Sequence, residues 1–230
     1  MNKKKKLGCI IFARYDSKRL RGKVLKNVCN KPLLEIIYLR LTKVFSKDNI
    51  VIATSKDKED KNIVEFCLKN RINYFCGSKN DLIKRSIECC KMYNFSGFAR
   101  VCGDRPFLDF KLLKKMVKKF NEEKFDLVTN CFPKTFPSGF TNEIITVKAL
   151  KKTKKFNLLK SEKEHMINFF YKKSIKFNIY NFKSTLERKI IKKNFSINNY
   201  KDLSLARKIY KKYNNNYLID SKKILTDLSI

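Results

Sequence analysis

The chain has 230 residues, 43% of them hydrophobic, and carries 54 Lys and Arg against 21 Asp and Glu, a formal net charge of +33. That length and apolar content allow a sizeable core, and no apolar run reaches the ~18 residues of a membrane span. The eight Cys include no C-x-x-C pair, which argues against a disulfide scaffold or a zinc site and for buried free thiols in a reducing, cytoplasmic compartment.

Helical and strand patterns alternate along the chain. Residues 1–13 open like a signal peptide. The apolar part spans only 7–13, and Arg14 ends it without a small-residue cleavage site, so it reads as a buried first strand. Pro32 stands where a helix begins, and Leu33, Leu34, Ile37, Leu41 and Val44 follow a helical stripe. NIVIATS is a second strand and NIVEFCLKN a helix. INYFCG is a short strand ended by Gly77, and DLIKRSIECCKMY has helical spacing. GFARVCGD is strand-like, FKLLKKMVKKF an amphipathic helix and FDLVTNC another strand. After Cys131 the rhythm loosens, and FPKTFPSGF reads as a loop. SEKEHMINFFYKK reads as one helix with a capping box of Ser161 and Glu164. KFNIYNF is a strand and NYKDLSLARKIYKKY a helix.

This β-α-β rhythm predicts an α/β fold, a mostly parallel sheet flanked by helices, with right-handed crossovers. With neither internal repeat nor linker, residues 1–230 read as a single domain. Ligands of such sheets bind beyond the carboxyl ends of the strands. Two polar segments follow predicted strands and should face one crevice. One is the cluster Arg14, Lys18, Arg19, Arg21 and Lys23; the other is GDRP at 103–106.

The charge admits two readings, a binder of nucleic acid or membrane surfaces and a lysine-rich solvent face. Of the 54 cations only ten are Arg, Trp is absent, and the lysines scatter over apparent solvent faces, a pattern of biased codon usage. Aromatics do not interleave with basic residues as in an RNA-binding motif, so nucleic acid is the weaker reading. The cluster after the first strand is more specific. Ser17 and Val24 stand where a P-loop needs glycine and a hydroxyl, and no G-x-G-x-x-G follows the strand. A polyphosphate would therefore be held by side chains and by amides near Ser17 and Gly22.

The opening resembles that of the sugar cytidylyltransferases, in particular the spore-coat polysaccharide branch, which is related to the acylneuraminate and 3-deoxy-manno-octulosonate enzymes. Their A-R-x-x-S-x-R-L-P-G-K is matched by Ala13, Arg14, Ser17, Arg19, Leu20, Gly22 and Lys23, and the following K-P-L by Lys31, Pro32 and Leu33. GSKNDLIKRS is similar to a G-S-x-x-D-x-x-x-R segment and RVCGDRPFLD to R-x-x-G-D-x-P-x-x-D.

The resemblance implies a Rossmann-like nucleotide-diphospho-sugar transferase fold and a homodimer. It implies transfer of CMP from CTP to a sugar acid or related sugar, with release of pyrophosphate, for a surface-glycan precursor. Mg²⁺ is the implied cofactor. Carried over residue by residue, Arg14, Lys23 and Asp104 are the catalytic candidates. Ala13, Ser17, Arg19, Gly22, Asp81, Arg85 and Arg100 join Arg14 and Lys23 around the nucleotide. Asp104 and Asn198 are the metal candidates, and Ser138, Glu143 and His165 belong to the acceptor side. Plainer roles stand beside these: Asp81 capping its helix, Arg85 pairing with it, Arg100 bracing its strand, and His165, the lone histidine, packed or solvated.

Three departures matter. The proline of L-P-G-K is Arg21, which removes a rigid turn and adds a cation. Asn198 stands where relatives carry a metal-binding Asp, so a neutral amide replaces a charge, while Asp202 is expected to cap the next helix. Ser138 and Thr141 replace acids in the F-P-D-G-L-D segment. Two further enzyme-like readings stay open: another nucleotide or a non-sugar acceptor on the same fold, and a silent homologue that binds nucleotide without turnover.

Overall fold

A computed structural model describes residues 6–122 and 124–227; residues 1–5, the start of the leader-like segment considered above, lie outside it. The strands are β1 (Leu7–Phe12), β2 (Asn27–Val28), β3 (Lys31–Pro32), β4 (Ile50–Ser55), β5 (Asn73–Gly77), β6 (Gly97–Cys102), β7 (Leu127–Thr129), β8 (Glu143–Thr146) and β9 (Ile179–Asn181). The helices are α1 (Leu33–Leu41), α2 (Lys61–Lys69), α3 (Leu82–Met92), α4 (Phe110–Glu122), α5 (Val147–Lys152), α6 (Lys160–Glu164), α7 (Met166–Lys172), α8 (Arg188–Ile191), α9 (Tyr200–Lys212) and α10 (Ser221–Asp227).

β1 and β4 are buried along almost their whole length because helices cover both faces of the sheet they centre. Side chains alternate between the two layers. Cys9, Ile11, Ile50 and Ile52 pack with residues of α1, α2, α4, α9 and α10. Ile10, Phe12, Val51 and Ala53 pack with residues of α3, α5 and α7. All eight cysteines are free; Cys9, Cys67, Cys89 and Cys90 are buried, as expected, and the other four are part-buried. No helix among the described residues is long and apolar enough to cross a membrane.

The seven-stranded sheet runs β5-β4-β1-β6-β8-β7-β9, with β2 and β3 forming a separate hairpin. The block β5-β4-β1-β6 is parallel, as the rhythm predicts. The sheet then departs from that pattern. β8 runs antiparallel between β6 and β7, and β9 returns parallel to β7. β8 was not predicted, because it is a short strand delivered by the irregular stretch after Cys131. Phe12 lies in register with Ala53 on one side and Cys102 on the other, so β1 and β6 end level with one another and β4 runs on to Ser55.

The predicted helix over 161–173 is two helices broken at His165, whose φ of −109° and ψ of 60° are not helical. The predicted Ser161–Glu164 box is not formed. Glu162 instead accepts from the Leu159 amide at 3.0 Å and is held there by Lys172 at 3.2 Å, so the helix starts one step earlier. Asp202 does serve the start of α9. It is the reciprocal partner of the cap Asn199, accepting from the Asn199 amide at 3.2 Å while its own amide donates to Asn199 Oδ1 at 3.0 Å.

Candidate active site

The loop that leaves β1 is closed by its own backbone. The Gly22 amide donates to the Tyr15 carbonyl at 2.8 Å. Gly22 has φ of 65°, and a Cβ there would lie 2.8 Å from the Tyr15 ring, so both conformation and space require glycine. Arg21, in the place of the proline, points away from the cleft and pairs with Glu59 at 2.6 Å. The chain then turns through a short 3-10 helix at Lys23–Leu25.

Three distant stretches meet at Lys23. Its ammonium, with 13% of the side chain exposed, lies 3.1 Å from Asp104 Oδ2 and donates to the Ile197 carbonyl at 2.8 Å. The Ile197 amide in turn donates to the Asp104 carbonyl at 2.8 Å. One residue on, Asn198 Oδ1 accepts from Arg19 Nη2 at 3.2 Å, and the Asn198 amide donates to Asp202 Oδ2 at 2.8 Å. Gly103 brings the end of β6 against β1 through a 2.9 Å bond from its amide to the Phe12 carbonyl. Among the described residues no three His, Cys, Asp or Glu side chains cluster as a metal site.

These residues border a cleft of about 570 Å³ beyond the ends of β1 and β6. Ala13, Arg14, Ser17, Arg19, Lys23, Arg85, Arg100 and Asp104 all line it, together with Lys18, Asp16, Glu164 and His165. Six cations against three carboxylates leave the cleft net positive, which suits an anionic ligand. Arg14 Nε lies 3.3 Å from Asp16 and its Nη2 3.8 Å from Glu164, while Nη1 donates to the Lys79 carbonyl at 3.4 Å. Arg85 is buried. It donates to the Ser78 carbonyl at 2.7 Å and the Lys79 carbonyl at 3.1 Å, and so braces the loop that receives Arg14. Burial, and then the nearby Arg14 charge, lower its pKa to about 10. Asp81 is not brought into the cleft: its carboxylate caps α3, accepting from the Lys84 amide at 2.7 Å.

A second hollow of about 300 Å³ adjoins the first, and Arg100 and His165 line both. Here the chain brings together Ser138, Glu143 and His165, which sequence reasoning had grouped. Arg105, Lys134 and Tyr171, which it had not, lie with them. Buried Glu143 pairs with Arg100 Nη1 at 3.2 Å and accepts from Cys131 Sγ at 3.3 Å. The buried Arg100 Nε has no hydrogen-bond partner. Arg105 donates to the Thr141 carbonyl, and Ser138 Oγ accepts from Lys134 Nζ at 3.2 Å. Tyr171 is hydrogen-bonded to Thr129 at 2.8 Å; burial, with Glu143 nearby, pushes its phenol far up. Arg105 could have been found from GDRP, where it directly follows Asp104. Tyr171 lies in an aromatic run that reads as core, and only the break at His165 turns it toward this hollow.

The chain is similar to known proteins over most of its length. The profile of a family described as cytidylyltransferase matches residues 8–224. The spore coat polysaccharide biosynthesis protein SpsF of Bacillus subtilis is 30% identical over 166 residues, 70% of this chain and 68% of that protein. The 3-deoxy-manno-octulosonate cytidylyltransferase of Fusobacterium nucleatum is 28% identical over 119 residues, 50% of this chain and 46% of that protein. The structure of a cytidylyltransferase from Leptospira borgpetersenii superposes with a TM-score of 0.91 at 28% identity, covering 98% of this chain and 94% of the other.

Proposed function

This chain belongs to the cytidylyltransferase family, and from that premise we propose that it transfers CMP from CTP to a hydroxyl of a sugar acid or related sugar, releasing pyrophosphate, in the synthesis of a surface-glycan precursor. The observation that carries the reading is the junction of Lys23, Asp104 and Ile197 at the mouth of a net-positive cleft. Residues 1–230 act in this proposal as a single domain, in a cytoplasmic homodimer.

The first cleft takes the nucleotide. Arg14, Arg19 and Lys23 neutralise its phosphates, and Ser17 donates to a phosphate oxygen. The second hollow takes the acceptor, whose anionic group meets Arg105 and Lys134. Arg100, shared by both, keeps the two substrates side by side. The acceptor oxygen forms a bond to the α-phosphorus as the bond to the β-phosphate oxygen breaks. The hydroxyl proton passes to solvent water, and the electron pair leaves with pyrophosphate. Such a step depends on alignment and charge neutralisation rather than on a protein nucleophile.

The donor set fits a magnesium ion that arrives on the nucleotide, because Mg²⁺ is commonly held by one or two carboxylates plus substrate phosphates. Asp104 would hold it, with the Asn198 amide oxygen as a neutral second donor once Arg19 turns to phosphate. The ion would supply charge neutralisation on the triphosphate. The test is pyrophosphate release from CTP with a panel of sugar acids. Release should exceed that of Asp104→Ala by at least ~100-fold. No release above that variant, with any sugar or nucleotide, overturns the reading.

A further inference from the structure

The turn at residues 57–60 carries three acids, all engaged with the cationic loop or its support. Glu59 holds Arg21, and Asp57 shares Lys79 with Asp16. Asp60 reaches furthest inward and is only 2% exposed. It stands at the N-terminus of α2, where an aspartate ordinarily caps its own helix. Its side chain makes no such cap. Instead Oδ1 accepts the backbone N–H of Tyr15 at 2.7 Å, and Oδ2 accepts the Ser55 N–H at 2.9 Å as well as the Ser55 hydroxyl.

Both oxygens are thus spent on tying the loop after β1 to the end of β4. A buried negative charge behind an anion-binding cleft disfavours the ligand electrostatically, so its place there calls for a compensating role. The geometry supplies one. Tyr15 lies between Arg14 and Asp16, and its two backbone groups are fixed at once, the amide by Asp60 and the carbonyl by Gly22. The segment from Arg14 to Lys23 therefore leaves the sheet from a pinned point. The same bonds, from Ser55 and Tyr15, outweigh burial and hold the Asp60 carboxyl below its ordinary value, so it stays charged.

We propose that Asp60 is a positioning residue for nucleotide binding: by clamping the Tyr15 amide to β4, it sets where Arg14, Ser17 and Lys23 stand to receive a triphosphate. This rests on the reading of the cleft as a CTP site. Positioning of this kind acts on affinity without the residue touching the ligand.

Asp60→Asn keeps size but turns one acceptor into a donor. In calorimetric titrations its CTP affinity should fall about ten-fold, while affinity for CMP, which lacks the β- and γ-phosphates, changes by less than about two-fold. Hydrogen exchange should show the Tyr15 amide losing protection while the core of β1 and β4 keeps theirs. Met116→Ala, in the buried face of α4, is the control: it lowers the melting temperature and leaves the CTP-to-CMP affinity ratio unchanged. An Asp60→Asn protein that is folded and binds both nucleotides as the wild type does, or weakens both equally, overturns the assignment. Should that variant not fold, Ser55→Ala removes one donor from the same carboxylate and should move the ratio in the same direction by a smaller factor. Wild-type protein that binds neither nucleotide would sink the CTP reading instead, and the Tyr15 exchange would still judge the clamp.

Discussion

Arg40 offers a quantitative test of what holds the C-terminal third in place. The residue is fully buried in α1. Its Nε donates to the Leu108 carbonyl at 2.7 Å, Nη1 to the Tyr217 and Ile219 carbonyls at 2.8 and 3.1 Å, and Nη2 to Ser221 Oγ at 2.8 Å. One guanidinium therefore fastens the turn before α10 to the loop before α4. Arg40→Met keeps most of the stem volume and removes every donor. Three carbonyls and a hydroxyl then lose a charged partner, at about 1.5–3 kcal/mol per bond before offsets. Relief of the buried charge's desolvation offsets much of that sum, leaving a net loss of about 3–5 kcal/mol. For a chain of this size that lowers the melting temperature by about 6–20 °C. Calorimetry gives the shift directly, and limited proteolysis should show cleavage near residues 216–222 below the new midpoint. A melting temperature within about 2 °C of wild type would refute the reasoning.

Two further outcomes concern the loop after β1. Lys23→Met should lower kcat/KM for pyrophosphate release by about 10²–10³, because it removes the proposed phosphate contact and frees the Asp104 carboxylate; unchanged kinetics would remove Lys23 from the site. Asp60 should make stability acid-sensitive. Burial opposes its charge, but the bonds from Ser55 and Tyr15 prevail and hold its folded pKa below 3.8, the ordinary value. Its contribution is present above that value and is lost as pH falls through the lower, folded one. In urea melts from about pH 7 down to about pH 3, the gap between wild type and Asp60→Asn should therefore narrow at the acid end.

The parallel half of the sheet was legible because each of its strands is an apolar run bounded by polar punctuation. The meeting of the Arg14–Lys23 segment with Asp104 followed from two strands that end side by side. In the other half β7 and β9 were legible as strands, but β8 and its antiparallel pairing were not. Glu143, the first residue of β8, reaches the acceptor side only through the resemblance, and the pairing of β8 with β6 is what buries it against Arg100. Asp60 reads as a helix cap, since nothing local reveals that its carboxylate turns to a residue 45 positions earlier. Arg40 carries no local signal of burial, because three of its four bonds go to residues 217–221, far along the chain. Asn198 reads as a neutral metal donor in place of a carboxylate; that Arg19 holds it is a contact across 179 positions.

The grip on Lys23 joins positions 174 residues apart. During translation the loop after β1 is made early, yet its ammonium has no carbonyl to settle on until Ile197 has left the ribosome. A nascent chain can thus carry Arg14, Arg19 and Lys23 and still lack the junction that seats the Lys23 ammonium.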